Sequence, residues 1–302
     1  MNKALLATLL AFLLLLTSTT LYAELGIEQL KSQATMGDTR AMTILGYRYS
    51  KGEGVKQDSS EAALWYKKAA EQEFAEAQFA LGDMYANGRG VKQDYDNAVR
   101  WYRKSAEQGF ALAQSSLGDM YANGIGVKQN YAEAIQWYRK SAEQGYVVAQ
   151  SSLGDMYANG RGVKQDYAEA VWWYRKSAEQ GYALAQTNLG AMYIDGRGVK
   201  QDNNEAMEWY RKSAEQGHDL AQFLLGAMYL DSKSTKQNDA EAASWFRKSA
   251  EQGNAFAQSA LGGMYANGRG VKQNYAEAVW WYRKAASQGE QSAKEILQKA
   301  GL

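Results

Sequence analysis

The chain has 302 residues, with 34 basic and 33 acidic side chains, one histidine, no cysteine and no proline. A formal net charge of +1 gives no electrostatic reason to expect nucleic acid or an anionic membrane as partner. The lack of cysteine excludes disulfides, thiolate metal sites and a thiol nucleophile.

Residues 1–23, MNKALLATLLAFLLLLTSTTLYA, carry Lys3, an apolar run from Ala4 to Leu16 and a short polar stretch ending at Ala23. This is the order of a secretory signal peptide. The run is short for a spanning helix, which needs about 20 apolar residues. Cleavage is expected after Ala23, although Leu21 fits the small-residue position poorly; a retained N-terminal anchor is the alternative. No cysteine follows the run to take a lipid. Removing the leader deletes only Lys3, leaving 33 basic against 33 acidic residues and no membrane span. The expected location is the periplasm or the outside of the cell.

Beyond the leader the chain repeats itself. Residues 81–95 read LGDMYANGRGVKQDY; 153–167 repeat that line unchanged, and 117–131 and 261–275 each change two letters. Leu45, Leu81, Leu117, Leu153, Leu189, Leu225 and Leu261 each precede a glycine and fall 36 residues apart. A fixed period of this length marks a solenoid, one quasi-linear domain held by contacts between neighbouring units.

Within residues 77–109, Ala77, Leu81, Met84 and Tyr85 share one face of a helix. Gly88 and Gly90 end it with backbone angles that other residues adopt at a cost. Val91 is expected to tuck between helices. Asp94 is a candidate N-cap for a second helix, whose apolar face is Ala98, Trp101, Tyr102 and Ala106, and Gly109 closes it. Asp58 and Glu61, Asn130 and Glu133, Asp166 and Glu169, and their equivalents at 202, 238 and 274 have capping-box spacing. Gly82 lies where a side chain would keep the two helices apart.

The pattern A-x3-LG-x2-Y-x2-G-x-GV-x2-D-x3-A-x2-WY-x3-A-x2-G resembles the Sel1-like repeat, a relative of the tetratricopeptide repeat, across residues 24–302. The resemblance implies an all-α fold, a right-handed α/α solenoid (superhelix) of 36-residue helix-turn-helix repeats. Residues 24–40 read as half a repeat, with Leu30, Ala34 and Gly37 in the Tyr66, Ala70 and Glu73 slots. Seven repeats over 41–292 follow, and 293–302 form a C-terminal capping helix in which Ala293 and Leu297 repeat Ala257 and Leu261. Glu73 departs by replacing a glycine, and residues 231–236 lose both loop glycines.

No catalytic residue, metal site or cofactor site emerges. The single histidine, His218, stands at a helix entry where other repeats carry Phe110, Tyr146 or Tyr182. No serine lies in a G-x-S-x-G or S-x-x-K context. Gly88-Arg89-Gly90 follows a helix and lacks the third glycine of a dinucleotide fingerprint. Periodic lysines (Lys56, Lys92, Lys128, Lys164, Lys200, Lys236, Lys272) read as a solvated rim. Seven tryptophans from Trp65 to Trp281 hold one repeat position and read as core, with Trp172 and Trp280 as additions beside it.

Information about a partner then resides where the repeats differ. By the resemblance, first helices line the concave side, with surface positions equivalent to 79, 80, 83, 86 and 87. There the early repeats carry Asp83, Asp119 and Asp155 with serines such as Ser115 and Ser151. Later repeats carry Ile194, Phe223, Leu224, Ala227 and Leu230, an apolar patch of the kind that marks interaction sites. Either a protein or peptide docks near Phe223 while polar or basic groups meet the acidic row, or neighbouring repeats bury Phe223 and Leu224. The leading expectation is a monomeric, non-catalytic scaffold for a protein or peptide, exported across a bacterial inner membrane toward an envelope or a host partner. The alternative is a weak cell-wall or β-lactam-acting hydrolase, as discussed for cysteine-rich relatives whose cysteines this chain lacks. A plain spacer is a third reading.

Overall fold

A computed structural model describes residues 25–231 and 237–302. The leader with its cleavage point, Lys236 and most of the 231–236 loop lie outside these residues. Among the described residues every regular element is an α-helix. The chain forms two compact units, one ending at Gln144 and the other beginning at Gly145.

The first unit holds α1 (Ile27–Thr35), α2 (Thr39–Lys51), α3 (Ser59–Glu71), α4 (Ala75–Asn87), α5 (Tyr95–Glu107), α6 (Ala111–Asn123) and α7 (Tyr131–Glu143). The second holds α8 (Val147–Asn159), α9 (Tyr167–Glu179), α10 (Ala183–Asp195), α11 (Asn203–Glu215), α12 (Asp219–Leu230), α13 (Asp239–Glu251), α14 (Ala255–Asn267), α15 (Tyr275–Ser287) and α16 (Gln291–Lys299). Each unit is a run of helical hairpins, α2 with α3, α4 with α5, and onward. The architecture is the expected all-α solenoid of helix-turn-helix repeats.

Glycine sets the hairpin geometry. Gly88 ends α4 in the left-handed conformation at φ 65° and returns its N–H to the Met84 carbonyl. Two residues on, a Cβ on Gly90 would stand 1.9 Å from the Ser59 carbonyl oxygen, so this loop rests directly on the backbone that opens α3. Val91 is half-buried against the core beside it, as its position suggests.

Asp94 caps α5 as expected, accepting from the Asn97 N–H. Asp58, Asn130, Asp166, Asp202, Asn238 and Asn274 cap the equivalent helices. The reciprocal half of the capping box does not form there. The cap residue's own N–H is already given to a tyrosine carbonyl at the end of the preceding helix, Asp94 to Tyr85 and Asp166 to Tyr157 at 3.0 Å. That bond ties the two helices of a hairpin together, and the glutamate is left in solvent or half-exposed.

The repeated leucines are fully buried, Leu45, Leu81 and Leu117 in the first unit and Leu153, Leu189, Leu225 and Leu261 in the second. Between them runs a polar seam. Gln78 is buried; its Nε2 donates to the Ala70 carbonyl of the preceding repeat, and its Oε1 accepts from Gln108 Nε2 at 2.7 Å. Gln114, Gln186, Gln222 and Gln258 repeat both bonds. Beside the seam, buried Ser105 donates to the Ala75 carbonyl at 2.7 Å, and Ser141, Ser177, Ser213 and Ser249 do likewise. Buried polar groups are costly unless paired, and here each pairing crosses from one helix to another.

Leu30 and Ala34 of α1 are buried, as are Ala293 and Leu297 of α16. Glu73, in the glycine slot after α3, keeps the backbone of the glycines it replaces, at φ 61°.

Candidate partner-binding face

The first helix of each hairpin leaves one face uncovered by its partner, and the structure redraws which residues that face presents. Ser115, Ser151 and Thr187 are buried, not surface residues as the sequence suggested. Thr187 meets the Ser213 hydroxyl of the second helix and His218 at the start of α12. The larger Phe79 and Phe223 in the same column remain half-buried. Ser116, Ser152, Asn87, Asn123 and Asn159 do reach solvent, in part or fully.

The acidic row is already hydrogen-bonded within the array. Tyr138 donates its hydroxyl to Asp119 Oδ1 at 2.6 Å, and Tyr174 does the same to Asp155 Oδ1. Asn188 also donates to Asp155. Asp83 instead accepts from Arg89 and Asn87. Desolvation among the surrounding side chains pushes the carboxyls of Asp119 and Asp155 above the usual range, and the tyrosine bonds, with Arg161 near Asp155, offset it only in part. Burial foremost, then the Asp155 charge, raises Tyr174 as well. Asp119 retains an exposed edge, so its ionised form is partly solvated.

The sign of this shift makes a test. A carboxyl whose folded value is raised favours the folded state at low pH, and that contribution is lost as pH climbs from the unfolded value through the folded one. Asn in both positions preserves an acceptor for the tyrosines without the charge. The double variant Asp119→Asn/Asp155→Asn should therefore gain thermal stability relative to the parent between about pH 4 and about pH 7. Melting temperatures at both pH values check this, and a constant difference would mean that both carboxyls titrate normally.

The residues of the expected apolar patch are half-buried and divide between two core clusters. Phe223, Ala227 and Leu230 are half-buried against the core around Phe246, and Ile194 and Leu224 against the core around Tyr210. Phe223 sits 5.7 Å from the Phe246 ring and 6.1 Å from Phe256, centroid to centroid. Phe256 is 62 % exposed and carries the patch out to solvent. Its column also presents Leu184 and Leu220, both exposed. Sequence reasoning passed over this column because it falls off the packed face; a run of Leu184, Leu220 and Phe256 at successive helix starts was the available signal.

The second helices carry a different ornament. Lys68 Nζ lies 4.1 Å from the Trp65 ring centre, and Lys104, Lys140, Lys212 and Lys248 cover Trp101, Trp137, Trp209 and Trp245. Such contacts contribute about 0.5 to 1 kcal/mol at exposed sites. The tryptophan column is not uniformly core. Trp65, Trp173 and Trp281 are buried where Leu64, Trp172 or Trp280 precedes them, and the other four are half-buried. Trp172 and Trp280 stand edge-on to their neighbours at 4.4 Å, each 48 % exposed. His218 opens α12, its Nδ1 3.1 Å from Thr187 Oγ1.

Seven consecutive segments, residues 39–74, 75–110, 111–146, 147–182, 183–218, 219–254 and 255–290, match the family model for the Sel1 repeat. A protective antigen of uropathogenic Escherichia coli displaying an SLR fold superimposes with a TM-score of 0.84 at 42 % identity, over 91 % of this chain and 59 % of that one. A Sel1 repeat protein from Oxalobacter formigenes superimposes with a TM-score of 0.76 at 39 % identity, over 91 % of this chain and 79 % of the other. The secretory immunoglobulin A-binding protein EsiB of Escherichia coli O6:H1 (strain CFT073) is 42 % identical over 69 residues, 23 % of this chain and 14 % of EsiB. The chain thus spans less than two thirds of the length of each Escherichia coli match.

Proposed function

We propose that this chain, which belongs to the Sel1 repeat family, is an exported, non-catalytic scaffold that binds a protein partner on the face of its first helices. The observation that carries the reading is the aromatic strip that runs from buried Phe246 through Phe223 to exposed Phe256. Exposed aromatics beside half-buried apolar residues are the usual anchors of protein interfaces. Leu184 and Leu220 extend the apolar character along the same helix position. The leader-like first 23 residues support a partner outside the cytoplasm, in the envelope or in a host. The match to part of an immunoglobulin A-binding protein supports a host immunoglobulin as one candidate.

Affinity capture tests this directly. The folded protein is offered bacterial envelope extract, host secretions and purified secretory immunoglobulin A. A second bait carries Phe256→Asp and Leu220→Asp, both at exposed positions, so circular dichroism should be unchanged. Capture of a defined protein should fall about tenfold or more with the second bait. Equal capture by both baits would sink the assignment of the partner to this face.

A further inference from the structure

The repeats also disagree at a second place, in the first unit. Tyr47 stands where the next two repeats have Asp83 and Asp119, Lys51 where they have Asn87 and Asn123, and Phe79 where their neighbours have Thr43 and Ser115. These three departures line a single cavity of about 390 Å3, with Tyr66, Asp83 and Arg89 completing the wall. That size lies within the range of ligand-binding clefts.

The wall has two chemistries. Phe79 is held in place by Tyr102 and Phe110, at ring-centre distances of 5.7 and 5.4 Å, and Tyr47 is 46 % exposed. Together they offer an apolar surface that no neighbouring side chain covers completely. Across from it are two cations. Arg89 already pairs with Asp83, whereas Lys51 makes no ion pair among the described residues.

Tyr66 supplies the comparison that identifies a ligand. Its counterpart Tyr138 donates its hydroxyl to the Asp119 carboxylate. Tyr66 is equally buried, but the equivalent position holds Tyr47 and supplies no carboxylate. The Tyr66 hydroxyl meets instead the hydroxyl of Ser50, which itself donates to the Tyr47 carbonyl at 2.7 Å.

We infer that this cavity binds an acidic peptide segment of a protein partner, with a carboxylate between Lys51 and the Tyr66 hydroxyl and an adjoining apolar side chain against Tyr47 and Phe79. The incoming carboxylate takes the role that Asp119 plays toward Tyr138 in its own repeat. A small free anion would leave the two rings uncovered, which is why a peptide fits better. The inference rests on the scaffold reading above but uses residues separate from the Phe256 strip.

The test is selection of a displayed random heptapeptide library on the whole immobilised protein, followed by titration of the enriched peptides. Tyr47→Asp is the informative variant, because it installs the acceptor that Asp119 already provides and should fold as its sister repeat does. Tyr47→Ala and Lys51→Ala are the companions, and circular dichroism confirms each fold. Enriched peptides should carry Asp or Glu beside an apolar residue. Their affinity should fall about tenfold or more with Tyr47→Asp and with Lys51→Ala, and hold with Phe256→Asp. Peptides without acidic bias, or bound equally by Tyr47→Asp, overturn the cavity and leave the scaffold reading standing. Loss with Phe256→Asp alone moves the peptide to the aromatic strip and likewise overturns the cavity. An absence of any enriched peptide overturns it too, and capture with the Phe256→Asp/Leu220→Asp bait then decides the scaffold reading independently.

Discussion

Gly154→Val should destabilise the second unit by about 3 kcal/mol, the upper end of what overpacking a core typically costs. Gly154 lies in α8 directly against Tyr174 of α9, and an ideal Cβ there would stand 2.6 Å from Tyr174 Cδ1. The ring has nowhere to move. It is 3 % exposed, and its hydroxyl is fixed to Asp155. Two further methyl carbons must therefore separate the helices and open the contact around Val171 and Leu153. The diagnostic companion is Gly154→Ala. In an ordinary helix interior that change stabilises by about 0.5 to 1 kcal/mol, and here it should destabilise instead. Urea unfolding supplies the free energies. Hydrogen exchange should show lost protection concentrated in α8 and α9, because a repeat array transmits stability only through neighbouring interfaces. A stabilised Gly154→Ala would sink the argument.

Gln186→Leu should cost about 1 to 2 kcal/mol, although it replaces a polar residue by an apolar one in a buried position. The side chain spans three helices: it donates to the Ala178 carbonyl at 3.0 Å and accepts from Gln216 Nε2 at 2.8 Å. Leucine fits the volume and removes both bonds, although the Ala178 carbonyl keeps the Gly181 N–H at 3.0 Å. A hydrogen bond contributes about 0.5 to 1.5 kcal/mol net. Gln216 is exposed and can turn to water, so most of the loss belongs to the bond with the Ala178 carbonyl. Gln216→Ala alone should therefore cost much less. A double-mutant cycle between the two should give a coupling of about 0.5 kcal/mol or more. Additivity within error would mean that the glutamine pair contributes nothing jointly.

These two cases mark the border of what the sequence discloses. Gly154 was legible, because a glycine recurring one residue after a buried leucine must face something close, and the aromatic column 20 residues on is large enough to be it. The loop glycines and the Asp or Asn caps were legible for the same reason: each satisfies a local rule of backbone geometry. Gln186 was not. On a single helix it reads as a polar surface residue, and its burial depends on three helices from two repeats meeting around it. The tryptophan column misled in a related way, since one repeated letter hides the size of its neighbour: Leu64, Trp172 and Trp280 shield the ring beside them, while Arg100, Gln136, Glu208 and Ser244 do not. At the candidate face, Phe223 announced itself as a departure from the repeat. Phe256 did not, because its column lies outside the helical stripe that buries core. Tyr47 was passed over because the comparison of columns began at the second full repeat.

The glutamine seam bears on how such an array changes its length over generations. Gln222 finds at Ala214 the same carbonyl that Gln186 finds at Ala178, and Ser213 and Ser177 serve equivalent carbonyls in their own repeats. Excising one 36-residue period from within the array would present each remaining seam glutamine with an equivalent carbonyl. Gene segments that recombine out of step by one period would thus yield proteins already closed along every seam. The length of the array can then be inherited as a number of units, separately from the few columns where the copies differ.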